Sequence, residues 1–293
     1  MDFKTYWNKQ QKRVEKALEA ALPSSQTKPA TIHKAMRYSL FAGGKRLRPI
    51  LCLAAAEMVG SNGNSALPLA CAVECIHTYS LIHDDLPCMD DDDLRRGMPT
   101  SHKVFGEGMA VLAGDALLTL AFELVAKCKG SARYNTANLV LDLTSASGSK
   151  GLIAGQVADL EGEKKKILPV ELRYIHMNKT AALITSSLRL GAMSANATIA
   201  QLKQITLFGQ QLGLAFQIID DILDVTETSE QLGKSAGKDT KAQKATYPAL
   251  LGLEKAKKEA ARTTSQALAA LKPFGKQAEK MEMIARYLLE RRS

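Results

Sequence analysis

Aromatic residues make up only 5% of this 293-residue chain, and tryptophan occurs once. No basic run interleaves with stacking side chains, so a nucleic-acid groove is not supported. The five cysteines (Cys52, Cys71, Cys75, Cys88, Cys128) include no Cys-x-x-Cys pair. Their odd number and spacing argue against a disulfide framework or a zinc site and for buried, reduced thiols. Period-two alternation with β-branched residues is almost missing, which argues against strands. No run is read as approaching the roughly 20 apolar residues of a membrane span, so no stable membrane insertion is expected. Met1-Asp2-Phe3-Lys4 opens no basic-then-apolar leader, and the expected location is cytoplasmic. No internal repeat or low-complexity linker divides the chain, so one domain over 1–293 is expected.

What is present is helical periodicity. Apolar content of 46% and charged content of 24% fit a globular protein. Apolar spacing bounded by Gly, Pro, Asn or Ser predicts helices over 6–21, 31–41, 51–59, 67–86, 108–126, 139–147, 169–190 and 199–225, with one or two more after 246. Segments 66–82 and 202–225 are apolar all round and are expected to be central. The fold class is all-α. The formal net charge of +9 makes a field that attracts anions, and phosphorylated metabolites suit it best.

Two acidic clusters interrupt this apolar sequence: Asp84-Asp85-Leu86-Pro87-Cys88-Met89-Asp90-Asp91-Asp92-Asp93 and Asp220-Asp221-Ile222-Leu223-Asp224. Carboxylates are costly to bury unless something positive neutralises them. A hard cation such as Mg²⁺ does so, taking one or two carboxylates and completing its shell with substrate phosphates. Asp220 and Asp224 share a helix face, with Asp221 beside them and Gln217 one turn earlier. An exposed acidic helix end is the alternative, which the flanking Ala215-Phe216 and Ile218-Ile219 oppose. Asp84 and Asp90 are about 240° apart on an ideal helix, so they meet only if Pro87 redirects the chain. Asp84, Asp90 and possible third ligand Asp85 are the expected metal contacts here, with Asp91, Asp92 and Asp93 expected to cap the next helix or tune the field.

Cations stand where a diphosphate would need them. Gly43-Gly44-Lys45-Arg46-Leu47-Arg48-Pro49 puts three on a glycine turn at a helix start. Neither this stretch nor Gly233-Lys234-Ser235 has P-loop spacing. Arg95-Arg96 follows the first cluster, and Lys179-Thr180 lies late in the helix from Pro169. Taken singly, each cation also reads as a solvated charge; it is their coincidence with two acidic clusters that carries weight. His77 reads either as a core histidine or as a functional one. No nucleophile elbow or Cys/His pairing is found.

At these residues the chain resembles the trans-polyprenyl diphosphate synthases, and within that family the short-chain bacterial farnesyl diphosphate synthases (geranyltranstransferases). The resemblance covers nearly the whole length. It rests on 43–49, on Asp84 to Asp90 followed by Arg95-Arg96-Gly97, on Gly155-Gln156 with Asp159, and on Lys179-Thr180, Phe216-Gln217 and 220–224. Gly233-Lys234, Asp239 and Lys244 complete it.

The resemblance implies a bundle of about ten helices around a central cavity, paired as a homodimer. It implies three Mg²⁺ ions (Mn²⁺ as the alternative) joining the allylic diphosphate to Asp84, Asp90 and Asp220. Arg95, Lys179 and Lys234 would clamp that diphosphate, Thr180 would support the reacting cation through a helix break, and Gln217 and Lys244 would line the site. Isopentenyl diphosphate would rest on Gly44, Lys45, Arg48, His77 and Arg96, with dimethylallyl or geranyl diphosphate as co-substrate. Tyr79 and Ser80, one turn below the first motif, would limit product length, a bulky Tyr79 stopping growth at fifteen carbons. A core tyrosine without that role is the alternative. Geranylgeranyl or geranyl diphosphate synthases, and a non-catalytic prenyl-diphosphate-binding subunit, remain the other readings.

Overall fold

The computed structural model describes residues 2–163, 165, 167–226 and 245–289. Lys234, Asp239 and Lys244 lie outside them. Helices α1 (Phe3–Ala21), α2 (Ala30–Leu40), α3 (Leu47–Met58) and α4 (Leu67–Asp84) come first. A two-residue ribbon, β1 (Leu94–Arg95) with β2 (Met98–Pro99), follows. Next are α5 (Ser101–Phe105), α6 (Glu107–Ala126), α7 (Thr136–Ser147), α8 (Leu152–Gly162) and α9 (Pro169–His176). A π-helical turn (Met177–Ala181) joins α9 to α10 (Ala182–Ser194), and α11 (Ile199–Thr226) is the longest helix. Helices α12 (Tyr247–Leu251), α13 (Leu253–Leu271), a 3₁₀ segment (Lys272–Ala278) and α14 (Glu279–Leu289) close the described chain. The all-α expectation holds.

The central position of α4 follows from its composition. Eleven of its residues, from Leu69 to Ile82, are buried, on all sides of the helix. It packs against α3 and α6, while α10 packs against α3 and α11, and α11 against α13. Burial of such side chains is worth about 1.5–3 kcal/mol each, which makes this layer the energetic centre. Three cysteines, Cys52, Cys71 and Cys75, belong to this core, whereas Cys88 is exposed and Cys128 half-buried. Burial pushes the Cys71 thiol up to about 12, so it stays protonated.

Several boundaries differ from the sequence reading. Helix α3 starts at Leu47 rather than 51, because Pro49 sits in the first turn, where its missing N–H costs nothing. Helix α8 was not expected; Gly151, Gly155 and Gly162 hid it. The strand expectation is corrected by the ribbon, a hairpin whose loop residues Arg96 (φ 55) and Gly97 (φ 78) are both left-handed. Asp91 to Asp93 cap no helix: α5 begins after Thr100, and Asp93 instead pairs with Lys103 at 2.7 Å. Helix α6 is long and apolar enough to cross a membrane, contrary to the expectation. In this fold it lies against α2, α4, α5 and α7, burying Ala110, Ala113, Leu117, Ala121 and Val125.

Candidate active site

Helix α4 does not kink at Pro87; it ends at Asp84, and the chain then winds back on itself. The Asp90 N–H donates to the Asp84 carbonyl at 2.9 Å, and the Asp92 N–H to that of Asp85 at 3.3 Å. Asp91, with φ 50, makes the reversal. Asp90 is thereby returned beside Asp84. Burial pushes the Asp84 carboxyl above the ordinary range, and the Asp90 charge pushes the same way. Lys179, Arg95 and an amide hydrogen bond from Gln156 Nε2 oppose that rise.

The second wall is α11. Gln217 Oε1 accepts from Thr180 Oγ1 at 2.8 Å. Lys179, the preceding residue of the π turn, is within electrostatic reach of Asp84 and donates to Asp159 Oδ2 at 2.7 Å. The π turn thus contacts α11 through Thr180 and acts on Asp84 through the Lys179 charge. Its place is fixed by Gly155 of α8, where a Cβ would stand 2.1 Å from the Lys179 backbone nitrogen. Gly155→Ala is expected to destabilise the fold by about 1–3 kcal/mol through overpacking, read as a lower denaturant midpoint at unchanged m.

Two aspartates are engaged by protein donors. Asp85 is 3% exposed and accepts both oxygens' worth of bonds from Arg95 Nε, at 2.7 and 2.9 Å. Asp221 accepts from His176 Nε2 at 3.1 Å and from the Tyr247 N–H at 2.9 Å. The expectation of these two as metal contacts is therefore revised, since each is occupied by protein donors, and Arg95 holds Asp85. Asp224 differs: it is buried, and its Oδ2 has no hydrogen-bond partner.

The remaining carboxylates suit a hard cation. Asp84 is half-buried, which disfavours its ionisation, and Asp224 carries an orphaned oxygen. Among the described residues no group of three or more ligating side chains converges. Mg²⁺ itself keeps several waters and takes phosphate oxygens beside one or two carboxylates.

Seven residues before Asp84, on the same stripe of α4, His77 borders a cavity of about 590 Å³. Gly44, Lys45, Arg48, Arg96 and Phe216 also line it, so the cations expected together are together. Burial holds the Arg48 guanidinium down to about 10, still charged at neutral pH, and its Nε has no partner. Burial, then the Arg48 and Arg96 charges, keeps His77 well below its usual value, hence neutral. Arg46 points inward instead. It donates to Glu15 at 2.7 Å, Glu74 at 2.9 Å and the Leu40 carbonyl at 2.7 Å. A depression of about 610 Å³ between α7, α10 and α11 has one charged pair, Asp142 with Arg189, which neutralise each other.

Below the first wall, Tyr79 is buried with its hydroxyl unpartnered, and Ser80 Oγ donates to the His77 carbonyl of its own helix at 2.9 Å. Sequence reading gave no role to Glu74 or to Arg46 as a buried residue. The one signal was the apolar surroundings of Glu74 within 69–76.

Comparison with known proteins agrees with this geometry. The polyprenyl synthetase family model matches residues 29–287, and the chain belongs to that family. It is 52% identical over 275 residues to a chloroplastic geranylgeranyl pyrophosphate synthase of Capsicum annuum, covering 93% of this chain and 74% of the relative. It is 47% identical over 288 residues to a dimethylallyltranstransferase of Fischerella ambigua (strain UTEX 1903), covering 98% and 83%. The solved apo structure of an FPP/GFPP synthase from Zymomonas mobilis superposes with a TM-score of 0.84 at 37% identity, covering 98% of each chain. The protein is a trans-prenyltransferase.

Proposed function

We propose that this enzyme condenses isopentenyl diphosphate with dimethylallyl and then geranyl diphosphate, releasing (2E,6E)-farnesyl diphosphate. The observation that carries this reading is a multi-cation cavity bordered by His77, on the same α4 stripe as Asp84, with the bulky Tyr79 buried on that same helix. Lys45, Arg48 and Arg96 hold the diphosphate of isopentenyl diphosphate, His77 donating as a neutral imidazole. The allylic diphosphate lies between Asp84 and Asp90 on one side and Asp220 and Asp224 on the other. Lys179 and Arg95 are described cations near it, both acting on Asp84; the assignment of Lys234 and Lys244 rests on the resemblance. Magnesium, held by those aspartates, would neutralise the charge that develops on the leaving diphosphate.

The allylic C–O bond breaks, its electron pair leaving with diphosphate. The isopentenyl π bond then attacks the delocalised cation, forming the new C–C bond, and a proton passes to the released diphosphate. The apolar flanks of α4 and α11 exclude the water that would quench the cation. The Thr180–Gln217 pair orients the π turn against that cation.

The geranylgeranyl reading stands beside this one because the Capsicum annuum relative bears that name. Chromatography of the dephosphorylated products separates them. Tyr79→Ala is expected to move the main product from C15 to C20 or longer. An unchanged C15 product would refute Tyr79 as the limit.

We propose further that the enzyme works in the cytoplasm as a homodimer. Val111 and Leu112 on α6, 39% and 55% exposed, offer an apolar face to a second copy. Light scattering on the pure protein tests the pairing.

A further inference from the structure

Three residues outside the diphosphate machinery form a stack across the α4–α6 contact. The Tyr79 and His83 rings, one helical turn apart, meet edge to face with centroids 5.7 Å apart and planes at 79°. His83 is held from α6: its Nε2 lies 3.0 Å from the Val111 carbonyl oxygen and 3.9 Å from the Asp115 carboxylate. Behind the ring is Gly114, where a Cβ would stand 2.2 Å from Nε2 and 2.5 Å from Cδ2 of His83. A Cβ there must displace the ring, so the absence of a Cβ at 114 lets the imidazole lie against α6. The Tyr79 hydroxyl has no hydrogen-bond partner. Its ring is therefore held by packing alone, and His83 is the aromatic surface it leans on.

We infer that Gly114 and His83 are positioning residues that set how far Tyr79 projects, and through it the length of the product. The inference rests on Tyr79 limiting chain growth. A Cβ at 114 drives the imidazole toward Tyr79 and shallows the pocket. Loss of the imidazole, 30% exposed, removes the surface on which Tyr79 leans and lets Tyr79 fold that way, deepening it. The two substitutions thus act in opposite directions, which general damage to the fold would not produce.

The test uses the full-length enzyme with isopentenyl and dimethylallyl diphosphates and reads the C10:C15:C20 ratio beside the rate of the first condensation. Gly114→Ala should raise the C10 share and His83→Ala the C20 share. Each shift should be about tenfold, the discrimination that one methylene brings in an apolar pocket. His83→Phe, which keeps a ring, should restore the wild-type ratio. Gly114→Ser repeats the push if His83→Ala does not fold. Wild-type ratios in folded Gly114→Ala and His83→Ala, with Tyr79→Ala lengthening the product, would overturn this inference alone. A wild-type ratio in Tyr79→Ala would remove the Tyr79 limit, and this inference with it.

Discussion

Asp84→Asn should lower kcat by about 10³-fold, close to 4 kcal/mol of transition-state stabilisation, while leaving the protein folded and no less stable. The two halves of this expectation have one cause. Burial and the Asp90 charge both disfavour the ionised Asp84 carboxyl, so the native fold bears a cost to keep it charged. An isosteric amide relieves that cost, and with it the melting temperature should hold or rise. The charge that would counter a metal–diphosphate complex is lost, so the rate falls. Stability traded for function in this way is the usual signature of a working site. Steady-state kinetics with thermal denaturation decide it: full activity in Asp84→Asn would leave the first acidic wall without a catalytic role.

Arg46→Met should have the largest effect on stability, about 3–5 kcal/mol, because it strands Glu74, which is 2% exposed. In a chain of this size that corresponds to a fall in melting temperature of about 5–8 °C. Burial works against the Arg46 guanidinium, but Glu74 and Glu15 raise its pKa overall, and the guanidinium donates three directional bonds, one each to Glu74, Glu15 and the Leu40 carbonyl. Arg46→Lys should lie between, since a single ammonium cannot reproduce the fork. Differential scanning calorimetry measures both. A melting temperature unchanged in Arg46→Met would show that the buried network contributes nothing.

The architecture was legible because apolar spacing is a local property, and it drew α1, α2, α4, α6, α7 and α11 to within a few residues. Helix α8 escaped because its glycines read as punctuation, yet Gly155 is there to admit the Lys179 backbone. Which residues form the basic cavity was legible through the family resemblance, since Lys45, Arg48, His77 and Arg96 do line one cavity. Side-chain direction was not. Arg46 sits between two cavity cations in sequence, but its left-handed backbone turns it into the core toward Glu74. Asp85 and Asp221 each stand next to a wall residue, and each is claimed by a donor distant in sequence, Arg95 and His176. Such choices depend on which partner the fold delivers, and a run of aspartates does not specify that.

The π turn between α9 and α10 carries one consequence for how this chain can change. His176 meets Asp221 and Thr180 meets Gln217, so the antiparallel helices are joined by two rungs whose residue numbers give the same sum. An inserted or deleted residue rotates all that follows by about 100°, so only one rung at a time could survive. Length variation in this stretch is closed off, whatever residues are used, whereas substitution that keeps the count remains open.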